Sequence, residues 1–340
     1  MVLIRSWIPA FFLSFSLLFS ARAQQTPITS SSAPTPVKPL PFTDQLKKTI
    51  VFLRVVYNKP DGSAWQMSGT GFLVVYSDER LGQGQGFIYL VTNRHMVVPG
   101  VEVGQHYPIN QFYIRGNVKV NPDSPNSLTK SVEEDLHYER NGGSWYFPKD
   151  SSVDLAVTGI NLSKRLDYMP IPVSLIATKD IIQARQIAPG DQVVFAGYFY
   201  QFPGTERVQP IVRQGILAML PDEPVPTPLA QQPGHVYLVD AHAFHGNSGS
   251  PIFVNTGGIR GGMIGGVSYS LLGIVSGYYP ESETNFSVPA ARVLTQEVHD
   301  NSGITVVVPG DELKALLESP EIQRDRDKGI ESIRNSRSPN

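Results

Sequence analysis

Ser248 stands in the run Ala243-Phe244-His245-Gly246-Asn247-Ser248-Gly249-Ser250-Pro251, close to two glycines and with no acidic or permanently basic neighbour. Glycine costs backbone entropy and fills no core volume, so Gly246 and Gly249 suggest a tight backbone path that brings N–H groups close to a ligand. In such a loop the Ser248 hydroxyl is a candidate nucleophile, and the N–H groups of Gly246 and Ser248 are candidate donors to an oxyanion. The same string also suits a plain polar turn. A serine attacks near neutral pH only when a base takes its proton, and histidine is the side chain whose ordinary pKa fits that task. His95, in Asn93-Arg94-His95-Met96-Val97, is the candidate base. Asp154, in Ser152-Val153-Asp154-Leu155-Ala156-Val157, offers a carboxylate that could hold one imidazole nitrogen while the other receives the proton. Read singly, His95 is equally a packing residue and Asp154 equally the start of a surface strand. The relay needs all three groups at one site, with the carboxylate on one imidazole nitrogen and the serine proton passing to the other.

The elements that must position these residues read as short strands joined by turns. Strands are expected at 50–57, 66–76, 87–92, 111–120, 153–160, 192–200, 212–220, 236–239, 250–254, 263–269, 272–276 and 284–288, with Gly and Pro punctuation between them. That spacing argues for an all-β barrel or sandwich architecture. Helices are expected late, at 289–299 and at 310–317, the second with Asp311 as its cap. Beyond Pro320 the charges alternate through Arg324-Asp325-Arg326-Asp327-Lys328, which reads as a solvated helix or a disordered tail.

Composition narrows the function classes. The formal charge of −2, from 28 basic and 30 acidic residues, provides no basic field for nucleic acid. There is no cysteine, so no disulfide or cysteine-linked lipid holds this chain. Met1–Ala23 reads as a secretory signal peptide: Arg5, an apolar stretch too short to span a bilayer, then Ala21-Arg22-Ala23 as the cleavage site. The expectation is a secreted or periplasmic protein with no stable membrane anchor after cleavage. Residues 24–42 are rich in Ser, Thr and Pro and read as a flexible linker. Asp240, His242 and His245 are metal-ligand types, but strand alternation puts the first two on one face and the third on the other, so neither metal nor cofactor is expected.

Taken together, Gly69-Thr70-Gly71-Phe72, Thr92-Asn93-Arg94-His95, Asp154-Leu155-Ala156-Val157 and Gly246-Asn247-Ser248-Gly249-Ser250-Pro251 resemble the motifs of the chymotrypsin-like (trypsin-like) serine proteases. The resemblance is to the bacterial branch that includes the HtrA/Deg proteases and the glutamyl endopeptidases. It covers about residues 45 to 300. Gly190-Asp191-Gln192-Val193-Val194, Gln214-Gly215-Ile216-Leu217 and Gly273-Ile274-Val275-Ser276-Gly277 are similar to strands of the family's second barrel. The resemblance implies two six-stranded antiparallel β-barrels, about 43–165 and 166–300, followed by a C-terminal helix and charged tail at 301–340. It implies a polypeptide substrate, with Ser248 as nucleophile, His95 as base and then acid, Asp154 as the residue that orients His95, and Gly246 and Ser248 as the oxyanion hole. Ser276 would line the cleft near Asp154, and Gly277 would present backbone to an extended substrate.

Departures from the family bear on specificity. About forty residues follow the expected end of the second barrel at 300, which is short for a PDZ domain. Val275 stands where glutamyl endopeptidases have a histidine, and His242 stands where trypsin has its pocket acid. Neither Glu nor Lys/Arg preference is therefore expected, and a pocket near Val275, Ala243 and His242 suggests a small or medium apolar residue before the scissile bond. Two function classes follow: an exported serine endopeptidase, or a catalytically silent binding protein on the same fold whose cleft is closed by Tyr278-Tyr279 or by the 107–151 insert.

Overall fold

In the computed structural model the described residues are 40–119, 129–135, 145–163, 165–227, 232–260, 263–265, 268–282 and 299–337. The expected signal peptide, nearly all of the linker, the strand at 284–288 and all but the last residue of the helix at 289–299 lie outside them. Among the described residues no helix is long and apolar enough to cross a membrane.

A short helix α1 (Phe42–Thr49) leads into β1 (Ile50–Asn58), and β2 (Ala64–Ser77), β3 (Gly86–Thr92) and β4 (Ile109–Lys119) follow. After β5 (Thr129–Asp135) and β6 (Ala156–Gly159), β7 (Ile171–Pro172) ends the first half. These strands form a seven-stranded sheet in the order β5-β4-β1-β2-β3-β6, with β7 pairing parallel to β2. All seven residues of β3 are buried, because the strand lies inside the sheet and packs on both faces. Where the first six-stranded barrel was expected, the described residues form this seven-stranded sheet, with single bridges from Val118 to Leu166 and from Tyr146 to Val157.

The second half closes completely. A helix α2 (Lys179–Ala184) precedes β8 (Gln192–Gly197), β9 (Ile211–Met219), β10 (Tyr237–Asp240), β11 (Pro251–Asn255), β12 (Tyr269–Ser282) and β13 (His299–Pro309), which form a closed six-stranded barrel. Closure removes exposed sheet edges. A two-stranded ribbon of 258–260 and 263–265 lies outside it. β13 corrects the expected boundary at 300. Its run Ile304-Thr305-Val306-Val307-Val308 pairs on one side with β10 and on the other with β12, so the barrel ends at Pro309.

The chain then turns into α3 (Gly310–Leu317) and α4 (Pro320–Arg337). Asp311 does not cap α3. The N-cap is Pro309, and the Asp311 carboxylate instead accepts the N–H of Lys179 at 2.9 Å, tying α3 to α2. Nor is α4 a free or purely solvated tail. Ile322 and Ile330 join the core that runs under both halves, together with Leu313, Phe72 and Val91. Arg326, 3% exposed, lies over the Tyr76 ring at 3.9 Å and donates to the Leu317 carbonyl at 2.7 Å and to the Tyr89 hydroxyl at 3.3 Å. Charge alternation along the helix therefore conceals one buried face. Arg326→Ala strips two buried acceptors of their donor and removes the stacked guanidinium. A loss of about 3 kcal/mol in unfolding free energy is expected, read as a lowered denaturant midpoint at unchanged slope.

Candidate active site

Two registers bring the chemistry together. In the first half β3 pairs with β6 so that Thr92 lies opposite Ala156. Asn93–His95 leave one strand where Asp154 enters the other, which explains how residues 59 positions apart come to touch. Asn93 fixes the junction by donating from Nδ2 to the Asp154 carbonyl at 2.9 Å. In the second half β11 pairs with β12 so that Pro251 lies opposite Ile274, which puts Ser248 beside Ser276.

The Asp154 carboxylate is held from three directions. His95 Nδ1 lies 2.8 Å from Oδ2, the His95 backbone N–H donates to Oδ1 at 3.0 Å, and the Ser276 hydroxyl donates to Oδ2 at 2.6 Å. Burial raises the Asp154 pKa, but the His95 charge and these hydrogen bonds outweigh it and hold the carboxyl below its ordinary value. For His95 burial disfavours the charged ring, yet the Asp154 charge and hydrogen bond prevail and the imidazole pKa lies above its ordinary value.

Ser276 meets Asp154 from a β-bulge in β12. The register between β12 and β13 shifts between Val275 and Gly277, which makes Ser276 the extra residue. Val275 packs in the barrel core, and Ser276, the next residue along the strand, faces the opposite way, towards Asp154. Val275 is fully buried there, and Ala243 is 1% exposed in the same cluster, so neither side chain lines an open pocket as expected. His242 is exposed at the rim, with its ring near Gly303. Gly277 pairs with Val306 on β13. The Ser276 backbone carbonyl accepts the Ser248 hydroxyl at 3.0 Å, so Ser276 touches both Asp154 and Ser248.

The loop before Ser248 is a tight turn. Asn247 N–H donates to the Phe244 carbonyl at 2.9 Å, and Gly246, third in the turn, has φ of +94°, a conformation that favours glycine. Among the described residues neither Gly246 N–H nor Ser248 N–H has an acceptor within the protein, so both donors stay available beside the Ser248 hydroxyl. Asn247, 1% exposed, pins the turn by accepting from Phe244 N–H at 2.9 Å and donating to the Tyr198 carbonyl at 2.8 Å.

Thr70 on β2 clamps this loop to the first half, a role the sequence did not suggest. Its N–H donates to the Ser248 carbonyl at 2.9 Å and its hydroxyl to the Gly246 carbonyl at 2.7 Å. The same hydroxyl accepts from Tyr198 N–H at 2.9 Å, and the Thr70 carbonyl accepts from the Thr92 hydroxyl at 2.9 Å. The approach is so close that a Cβ at Gly249 would lie 2.0 Å from the Thr70 carbonyl oxygen, with φ at +84°. The available signal was Gly69 and Gly71 inside a strand, a mark of close backbone approach. Among the described residues no three metal-ligating side chains converge, and Asp240, His242 and His245 form no such cluster.

Solved structures similar to the chain include the Rv3671c protease of M. tuberculosis in its active form, at 16% identity and a TM-score of 0.44, covering 85% of this chain and 92% of that one. The MamO protease domain of Magnetospirillum magneticum matches at 14% identity and a TM-score of 0.42, covering 82% and 100%. The HtrA-type protease AlgW, solved with a tripeptide, matches at 15% identity and a TM-score of 0.43, covering 81% of this chain and 62% of that one. No curated protein sequence matches the chain. The model of the trypsin-like peptidase domain matches residues 69–261, more than half of the chain and the span that holds His95, Asp154 and Ser248, and the protein belongs to that family.

Proposed function

We propose that the protein is an exported serine endopeptidase in which Ser248, His95 and Asp154 form the catalytic relay. The observation that carries this reading is the junction at Ser276, which joins a buried His95–Asp154 pair to a serine flanked by two unclaimed N–H donors. Asp154 occupies His95 Nδ1 and so leaves Nε2 as the proton acceptor. When Ser248 attacks the peptide carbonyl, its proton passes to His95, and the Gly246 and Ser248 N–H groups bind the developing oxyanion. His95 then returns the proton to the leaving amine. Water, activated by the same imidazole, hydrolyses the acyl-enzyme. Export is supported by the signal-like features of Met1–Ala23.

One observation favours the silent binding protein instead: the Ser248 hydroxyl is engaged by the Ser276 carbonyl. Covalent labelling with a fluorophosphonate separates the readings. The endopeptidase gives labelled wild type and unlabelled Ser248→Ala, whereas a folded wild type that stays unlabelled and cleaves no peptide overturns the proposal.

The pH profile has a defined sign. Catalysis needs neutral His95, and its pKa is raised by Asp154, so activity falls as pH drops through a midpoint above the ordinary histidine value. A kcat/KM titration with that acid limb is expected. A profile flat from mildly acid to mildly alkaline pH would exclude His95 as the base.

A further inference from the structure

A cavity of about 350 Å³, at the lower end of the range of ligand sites, lies between α2 and the start of β10. Ile182, Ile187, Leu220 and Pro221 give it apolar walls, and the exposed side chains of Lys179, Gln183 and Asp222 add polar groups. Tyr237, the first residue of β10, also lines it. That tyrosine is 8% exposed and belongs to the barrel core with Ile187 and Leu217. Among the described residues no protein group hydrogen-bonds its hydroxyl. A buried hydroxyl without a partner carries a cost that a ligand accepting its hydrogen bond removes. Burial and the acidic side chains of Asp311 and Glu312 push the Tyr237 pKa up to about 12, so the group stays a neutral donor at ordinary pH.

We propose that this cavity is an exosite, which holds an apolar residue of the polypeptide substrate at a distance from the scissile bond. The proposal rests on the endopeptidase reading and adds a second contact to it. Charge selects the occupant. Lys179 is the one cation among the lining residues, Asp222 lines the cavity too, and Asp311 and Glu312 act on Tyr237. A carboxylate would meet these acids, and an ammonium would meet Lys179. A peptide group is neutral: its carbonyl accepts from the Tyr237 hydroxyl and its N–H donates to Asp222 or to the Gln183 amide oxygen. A leucine, isoleucine or valine side chain then leaves water for the apolar wall. The cavity lies apart from the cleft. Ser248 follows Tyr237 by eleven residues. Their Cα atoms are therefore at most about 40 Å apart, a gap that roughly a dozen extended substrate residues cross. A peptide that covers only the scissile bond and its neighbours does not reach the exosite.

The test has a binding arm and a kinetic arm, each with the wild type, Tyr237→Phe and Ile182→Ser. Tyr237→Phe keeps the ring in the core and removes only the unpartnered hydroxyl, so its thermal melt should match the wild type. N-acetyl-leucinamide, a neutral leucine between two peptide groups, is titrated by NMR beside N-acetyl-leucine, which carries a carboxylate. The amide should bind saturably and more tightly than the carboxylate. Tyr237→Phe should weaken the amide about fivefold, the effect of one net hydrogen bond. The kinetic arm compares a long polypeptide substrate with a short peptide of the same cleavage sequence, with fluorophosphonate labelling in parallel. Both variants should raise KM for the polypeptide by a similar factor at unchanged kcat, and leave the short peptide and the labelling as in the wild type. An unchanged polypeptide KM in both variants overturns the exosite, as does a lack of saturable binding, and the endopeptidase stands. An equal rise in KM for both substrates also overturns it, because the defect then lies in the cleft. A folded wild type that neither labels nor cleaves overturns the endopeptidase reading, and the exosite with it.

Discussion

Ser248→Ala is expected to lower kcat by roughly a million-fold while leaving the fold and peptide affinity nearly intact. The alanine removes the attacking oxygen and one hydrogen bond, to the Ser276 carbonyl. Ser276 keeps its own hydroxyl on Asp154, the Thr70 clamp acts through the Ser248 backbone carbonyl, and Asn247 still pins the turn. The surrounding site therefore persists, and the residual rate reports only what binding and the two N–H donors achieve without a nucleophile. Single-turnover cleavage of the best peptide, beside a thermal melt of both proteins, is the measurement. A variant that keeps more than about one hundredth of the wild-type kcat would remove Ser248 from the mechanism.

Asp154→Asn is expected to lower kcat about ten-thousand-fold near neutral pH. Asparagine preserves volume, but its amide must face His95 Nδ1, the His95 backbone N–H and the Ser276 hydroxyl, where the carboxylate oxygens accept from all three. An amide nitrogen placed in that cluster opposes a donor, and the imidazole turns to the tautomer with its proton on Nε2, where it cannot take the Ser248 proton. Removing the carboxylate also removes what lifts the His95 pKa, so the residual activity should show its acid limb at lower pH than the wild type. A loss of less than tenfold, or an acid limb that does not move, would mean that another group orients His95.

Much of the site was legible because each motif is local. Gly246 and Gly249 announce their φ values of +94° and +84° by being glycine, and the strand before His95 announces itself by its apolar run. Most strands were readable from β-branched runs, and α3 at its observed limits, since side-chain alternation and helical period are short-range properties. The misses have physical reasons. β13 has as strong a β-branched run as any strand, yet it was assigned to a tail because nothing local shows that a barrel still lacks its sixth member. In α4 the charges hide a buried Arg326, because an arginine stacked on Tyr76 and bonded to Tyr89 is apolar in its packing while charged in its letter.

By itself the sequence determined which chemical groups the chain carries, the order in which His95, Asp154 and Ser248 occur, and the strands that bear them. Only the tertiary structure decided how those groups bond. Val275 goes to the barrel core, and Ser276 beside it, at a bulge, gives Asp154 its third partner. Thr70, on a strand of the other half, clamps the nucleophile loop from 176 positions away from Gly246. His245 and Tyr278 meet from segments 33 residues apart. Face and partner in a sheet depend on register, which long-range pairing sets and a single extra residue reverses, so local pattern alone could not assign them.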